Sequence, residues 1–524
     1  MTSYFALSSA DLTESDASSL LTRSGEFVLG STNVDEDLHF STLYLESTLS
    51  PPYGQWRTDS WYSELLAVNR HAVERYYLLR HECEAVSREL SNQVFASPQV
   101  LTSLLYEIDR RSGLLDSAFP FGWLGSSADD YLLPELTELY RRHLALHQYL
   151  YDVSRIPDAL DRGTGFFTQR LREILAERTS GDVPSNALSI LSAVERPSIF
   201  REEQIEFVEL TLSLSDTEQN AVRSARTGAL AMMVLGPASR EQLNAHRRKW
   251  APLFYHGYGS REQVALIELA ARMRQVVRKG AERVIPEAPT KQERDELAAE
   301  LGLDPRDALC FYGYGLLGWT KARRRWFQLR NFQRLDLLIE RMSTALSCPE
   351  WDLRVLHPTE LLAWLEGGER PREIIEARYD GAILWFKDET LRISAIPSEF
   401  DFDGPDSSSP QLHSGDRVVG GEVTGRCVLG SRGGHPPSDE DLEGLTILVV
   451  SQLDSDLVWM LPFYDGLVVE ESGASAHAAI IARDIGIPTV GGIRDATRIF
   501  AMGDIVTVNG DHGTVTRDSL NSAS

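Results

Sequence analysis

The sequence predicts a multidomain α+β protein, mainly α-helical in its N-terminal and middle regions and ending in a compact β/α unit. Three observations carry that expectation. The chain has 524 residues, and at roughly 100–200 residues per domain this gives about three domains. Between residues 56 and 396 apolar side chains recur mostly at helical spacing. Near residue 397 the composition changes, and beyond it the apolar residues gather in short β-like runs.

Residues 1–55 read as a mixed segment, with short strands expected at Gly25–Leu29 and Leu43–Leu45. The pattern turns helical from about Trp56 to Val94. Between Leu132 and Tyr151 apolar residues fall at 133, 136, 140 and 144, one face of a helix. Further helices are expected at 168–177, 217–235, 239–250, 260–284 and about 318–346, so residues 56–396 form one mainly helical domain. Pro397 to His413, PSEFDFDGPDSSSPQLH, is rich in Pro, Ser and Asp and reads as a flexible linker. Residues 414–518 form the β/α unit, with strands near 417–419, 425–429, 446–450, 466–469 and 505–508, and 519–524 form a tail. One helix, from about His477 to Ile485, lies between the last two strands. Gly486 and Pro488 stop it, as a left-handed cap and a following proline do.

The formal net charge of -25 excludes nucleic acid and anionic membrane as main partners. The four cysteines, Cys83, Cys310, Cys348 and Cys427, are widely spaced, which argues against a disulfide framework and against a zinc site. No basic-then-apolar leader is present at Met1–Ser9 and no apolar run approaches 18 residues, so a cytoplasmic protein is expected.

The chemistry is concentrated in Glu470-Glu-Ser-Gly-Ala-Ser-Ala-His-Ala-Ala-Ile-Ile-Ala-Arg-Asp-Ile-Gly-Ile-Pro-Thr-Val-Gly-Gly492. A turn of small residues leads into a helix with His477 at its start. The first N–H groups of a helix lack internal partners and the dipole there is positive, so an anion is stabilised. A neutral imidazole is a competent nucleophile near pH 7. Gly473 and Ser475 leave room for a phosphate, and Ala478 keeps the first turn slim.

This segment resembles the mobile, swivelling phosphohistidine domain of the phosphoenolpyruvate (PEP)-utilising enzymes, which occurs in pyruvate phosphate dikinase, PEP synthase and rifampin phosphotransferase. The family pattern is roughly Gly-Gly-x-x-Ser/Thr/Cys-His-Ala-Ala-Ile-x-Ala-Arg-Glu-x-Gly-Ile-Pro-Ala-Val. Gly420–Gly430, Ile447–Trp459, Asp495-Ala-Thr and the run from Gly503 also look like parts of that domain. Ser472, Ala476, Asp484 and Asn509 depart from the pattern; Ala476 removes one hydroxyl beside the histidine, while Ser475 keeps another. The resemblance implies a C-terminal swivelling β/β/α phosphohistidine domain, with His477 as the phosphoryl carrier and Gly473, Ser475 and Ala478 in support. More weakly, 293–373, including Leu356-His-Pro-Thr-Glu-Leu361, looks like the helical region that precedes the mobile domain in the same broad family. By analogy with rifampin phosphotransferase, the helical domain would bind the acceptor.

Other signals carry less. Gly313-Tyr-Gly-Leu-Leu-Gly318 matches a dinucleotide fingerprint but lacks a βαβ setting; only Ala308–Tyr312 could be the preceding strand, and a glycine turn where helices pack closely is the plainer reading. His143 and His147, four apart on a helix, could hold a metal but have no evident third ligand, so no metal site is expected. His246 and His256 flank the aromatic stretch Lys249–Tyr255, which could line an acceptor pocket. Lys321, Arg323, Arg324, Arg325, Arg330 and Arg334 form a basic run, either a solvated helix face or an anion-docking surface.

No phosphate loop, ATP-grasp pattern or eight-fold strand–helix alternation precedes the linker. The expectation is a phosphotransferase component that binds no cofactor itself. ATP and Mg²⁺ sit on an ATP-grasp partner, and the acceptor is a small molecule. The alternatives are a non-catalytic scaffold with an inert mobile domain, and a condensing or tailoring enzyme of secondary metabolism driven by phosphorylation.

Overall fold

A computed structural model of the chain describes residues 6–8, 13–34, 37–49, 56, 58–70, 73–119, 131–160, 166–178, 187–254, 266–280, 289–388, 390–397, 400, 402, 412–430, 444–451, 453, 461–470, 481–483 and 485–517. The chain divides into two compact units. The first comprises 1–167, 257–259 and 327–408; the second comprises 168–256, 260–326 and 409–524.

The first unit is built on a sheet that the helical reading missed. Its strands are β1 (Ala6–Ser8), β2 (Phe27–Val34), β3 (Glu64–Arg70), β4 (Val73–Leu79), β5 (Gly381–Lys387) and β6 (Thr390–Ala395), in the order β1-β6-β5-β3-β4-β2. The stretch from Trp56 to Val94 was expected to be helical, but it holds the β3–β4 hairpin before the helix Arg80–Ala96. The cause is burial: Leu65, Leu66 and Ala67 are all fully enclosed, so β3 lacks the alternation that marks a half-exposed strand. Leu43–Leu45, expected as a strand, lies in the helix Leu38–Leu49. Phe400 and Phe402 are buried against Phe27 and Tyr77. The segment 397–413 is therefore packed at its start and paired at its end, where residues 412–414 join a sheet; 403–411 lies outside the described residues.

Helices dominate the rest of this unit. Leu133–Ser154 buries Leu136, Tyr140 and Leu144, as the spacing requires. It also buries His143 and His147, whose rings stack 6.1 Å apart. His143 Nε2 donates to the carbonyl of Asn331 at 3.2 Å, and the Asn331 amide donates to His147 Nδ1. His39 donates through Nδ1 to the Leu356 carbonyl and accepts at Nε2 from Tyr140, so it too is held as a neutral tautomer. Among the described residues no group of three or more His, Cys, Asp or Glu is placed to hold a metal.

In the second unit the predicted helix 217–235 is two helices, Asp216–Ser224 and Gly228–Val234. Thr227 breaks the run by capping the second. The expected helix at 318–346 starts earlier, at Pro305, and runs unbroken to Leu346, its first part in this unit and the remainder in the other. Ala308–Tyr312 is thus helix, not strand, and the Gly313–Gly318 motif lies in a helix interior without a dinucleotide fold around it. Gly315 is needed because a Cβ there would stand 1.8 Å from the carbonyl oxygen of Ser192. The plainer reading of this motif held for the close packing and failed for the turn.

The C-terminal part of the second unit is an eight-stranded sheet: β7 (Leu412–Ser414), β8 (Asp416–Val419), β9 (Glu422–Leu429), β10 (Thr446–Val450), β11 (Gly466–Val469), β12 (Thr489–Gly491), β13 (Ile505–Asn509) and β14 (Thr514–Arg517). The order is β7-β14-β13-β9-β10-β11-β12-β8. The five expected strands are all present; the short β7, β12 and β14 were missed. β9, β10, β11 and β12 are parallel neighbours. Successive side chains of a strand point to opposite faces, and β10 shows the consequence. Ile447 and Val449 join Val468, Val506 and Val515 in one core, while Leu448 and Val450 join Leu467, Val469, Ile481 and Ile485 in another. The outermost strands β7 and β8 are separated in the chain by Gly415 alone, so the sheet curls until its two edges meet there. A Cβ on Gly415 would lie 2.1 Å from the Gly491 oxygen. All four cysteines are free thiols. Among the described residues no helix is long and apolar enough to cross a membrane.

Candidate active site

The motif occupies a βαβ crossover. β11 ends at Val469, and β12 begins at Thr489 beside it and parallel to it. A parallel neighbour demands a crossover, and in such sheets ligand sites form beyond the carboxyl ends of the strands. His477, with Gly473, Ser475 and Ala478, follows the carboxyl end of β11 in the chain. These four lie outside the described residues. The described end of the crossover helix, Ile481–Arg483 and Ile485, closes as expected. Gly486 takes a left-handed φ of 76°, its N–H meets the Ala482 carbonyl at 2.8 Å, and Ile487 N–H reaches the same oxygen.

Glu470 anchors the other end. Its N–H donates to the Val450 carbonyl. Its Oε1 accepts from the Thr497 N–H at 2.8 Å and from the Thr497 hydroxyl at 2.6 Å. The last residue before the motif is thereby tied to the turn at Asp495, whose φ of 55° starts the short helix Ala496–Ile499. Sequence reasoning quoted both Glu470 and Thr497 but had no signal that paired them. Glu470→Ala leaves two donors without their acceptor and lowers the stability of this sheet by about 2 kcal/mol, whereas Glu470→Gln, which keeps an amide oxygen there, loses less than about 1 kcal/mol. Urea unfolding of the two variants measures the difference; equal losses would show that the carboxylate oxygen is not the anchor.

The remaining predicted residues lie on helices of the described part. His246 is buried in the helical core, its Nε2 donating to Glu203 Oε1 at 2.8 Å. Glu203 also receives both terminal nitrogens of Arg272, at 2.6 and 2.8 Å. Burial pushes the Glu203 carboxyl up, but the Arg272 charge and the His246 bond outweigh it and hold it at about 2. His246 is thus placed as one arm of a buried ionic cluster. Trp250 and Leu253 of the aromatic stretch belong to the same core, while Tyr255 and His256 lie outside the described residues.

Arg323, Arg324 and Arg325 sit on the helix Pro305–Leu346, each half-buried. Lys321 and Arg334 are buried, and Arg330 and Arg334 both grip Asp116, at 2.7 and 2.8 Å. The basic run is therefore not a solvated face. Its apolar neighbours Phe327, Leu329 and Phe332 are buried, as are Lys321 and Arg334.

Comparison with known proteins agrees with this geometry. Residues 442–513 match the family described as PEP-utilising enzyme, mobile domain. The phosphoenolpyruvate synthase of Aeropyrum pernix is 44% identical over 69 residues, which is 13% of this chain and 8% of that protein. The probable phosphoenolpyruvate synthase of Pyrococcus horikoshii is 36% identical over 76 residues, 14% of this chain and 9% of that protein. A pyruvate kinase of Lactobacillus delbrueckii subsp. bulgaricus is 34% identical over 105 residues, 20% of this chain and 18% of that protein. The chain spans less than a fifth of the length of each of these relatives, and the family match falls in the C-terminal sheet. Residues 442–513 of this chain therefore belong to the family of PEP-utilising enzyme mobile domains.

Proposed function

We propose that this chain is a phosphotransferase component that carries a phosphoryl group on His477. The observation that supports the reading is the family match over 442–513; in the sequence His477 stands in the carrier motif, after β11 and ahead of the helix end that Gly486 caps. The N–H groups and dipole at a helix start favour the phosphoryl anion, and the small residues around His477 admit a bulky donor. The donor is ATP with Mg²⁺, held on a partner protein of ATP-grasp type. The acceptor is a small molecule taken by the helical region, with Arg323, Arg324 and Arg325 as anion contacts, because arginine forks suit phosphate oxygens.

Phosphoryl transfer from ATP requires cradled phosphates, a metal and a placed nucleophile; of these the C-terminal domain offers the nucleophile. The chain purified alone should accordingly leave ATP intact over hours, and adding the partner with Mg²⁺ should switch on labelling of His477. The measurement is ATP consumption together with intact mass. Robust turnover by the isolated chain, dependent on His477, would overturn the assignment of the donor to a partner.

A further inference from the structure

The second unit contains a docking seam between the C-terminal sheet domain and the helices before it. Arg483, six residues after His477, directs its guanidinium over the ring of Tyr314, 5.2 Å from the centroid, and its Nη2 lies 3.3 Å from the Tyr314 hydroxyl. The same hydroxyl receives a hydrogen bond from Thr168 at 3.3 Å. Tyr314 thus joins Phe166–Arg178 and Pro305–Leu346 at one point, and it is itself buried. A second link uses a different strand: Arg172 Nη2 donates to the carbonyl of Arg417, in β8, at 2.9 Å. An unbroken apolar cluster lies alongside these polar links, containing Val418, Ile481, Ala482 and Ile485 from the domain and Ala322 from the helices. Both links are made by polar groups at the ends of long side chains.

We propose that Tyr314 and Arg483 form a latch that holds the carrier domain docked on the helical region, with Arg172 as its second point. Tyr314 and Arg483 are positioning residues: they set how long the carrier dwells on the acceptor side. This inference rests on the carrier reading of residues 442–513. A guanidinium over a desolvated ring is a strong contact, and its loss shifts the docked equilibrium by about tenfold.

Spin labels on the exposed positions Glu296→Cys and Arg498→Cys, with Cys348→Ser to remove the half-buried native thiol, report the seam by pulsed electron spin resonance on the full chain. The wild-type seam gives one narrow distance. Tyr314→Leu and Arg483→Gln each broaden it and raise the undocked share about tenfold. The double variant does no more than either single one, and Arg483→Lys restores most of the narrow peak. A narrow peak that survives both single variants, or strictly additive effects, would overturn the latch. Treating the same protein with phosphoramidate and counting phosphohistidine tests the carrier separately. Failure of His477 to accept phosphoryl would remove the functional reading while leaving the latch measurement intact.

Discussion

His477→Ala protein, given its donor system, acquires no acid-labile, base-stable phosphoryl group, where the wild-type chain acquires about one. The loss is complete because the carrier motif from Glu470 to Gly492 holds a single histidine, His477. His39, His143, His147, His246 and His357 are all buried, and each is engaged by named partners such as Tyr140, Asn331, Glu203 and Glu46. A buried imidazole already hydrogen-bonded is neither accessible nor free to attack phosphorus. Intact mass at neutral and acid pH, with ³¹P resonance of the labelled chain, reads the result. A label that persists in the alanine variant would place the carrier elsewhere. Circular dichroism should remain unchanged, which separates loss of the nucleophile from loss of the fold.

The first unit loses stability steeply on mild acidification. Burial, partly offset by the bond to the Leu356 carbonyl, holds His39 down at about 3. Burial, partly offset by the bond to Asn331, holds His143 at about 4. Burial, with His143 and His39 nearby, holds His147 well below its ordinary value. In the unfolded chain each titrates near 6.5. The folded pKa values are depressed, so below pH 6.5 the unfolded state binds protons that the folded state refuses, and stability falls with pH. The loss begins as the pH drops through about 6.5 and continues towards the folded values. At pH 5 it is roughly 2 kcal/mol each for His39 and His143, about 4 kcal/mol for the two, and His147 adds in the same direction. That approaches the lower end of the whole stability of an ordinary domain, about 5–15 kcal/mol. Urea unfolding at pH 7, 6 and 5, followed by hydrogen exchange in Leu133–Ser154, measures it. His143→Gln with His147→Gln should remove most of the pH slope. A slope below one proton in the wild type would show that these rings are not the cause.

What was legible in the sequence follows from how burial writes itself into a pattern. Leu136, Tyr140 and Leu144 line one side of a helix and announce it. β10 and β11 also announced themselves, because their unbroken apolar runs are short and bounded by turn residues. β3 did not: its continuous apolar residues sit beside Trp61 and Tyr62 and lack such a boundary, so they blended into the helical pattern that follows. The crossover helix and its stop were readable because Gly486 and Pro488 act locally. The Glu470–Thr497 anchor and the Arg483–Tyr314 contact were not, since their partners lie 27 and 169 residues apart and nothing in residue type predicts the pairing. The basic run misled for a related reason. Charge argues for water, but Arg330 and Arg334 converge on Asp116, and Glu203 and Arg272 satisfy one another in the interior in the same way.

The meeting of β7 and β8 at Gly415 bears on how such a domain survives in a crowded solution. An open sheet ends in strands whose unpaired N–H and C=O groups invite another chain to add on, and this is a common route to aggregation. A domain that leaves its dock repeatedly would show such edges each time. Here the two outermost strands are consecutive in the chain and brought together at a residue with no side chain, so an incoming strand finds no long, flat edge to extend. Undocking uncovers side chains and leaves the backbone ladder guarded, and a concentrated solution of the undocked form should resist fibril formation better than an open sheet of the same apolar content.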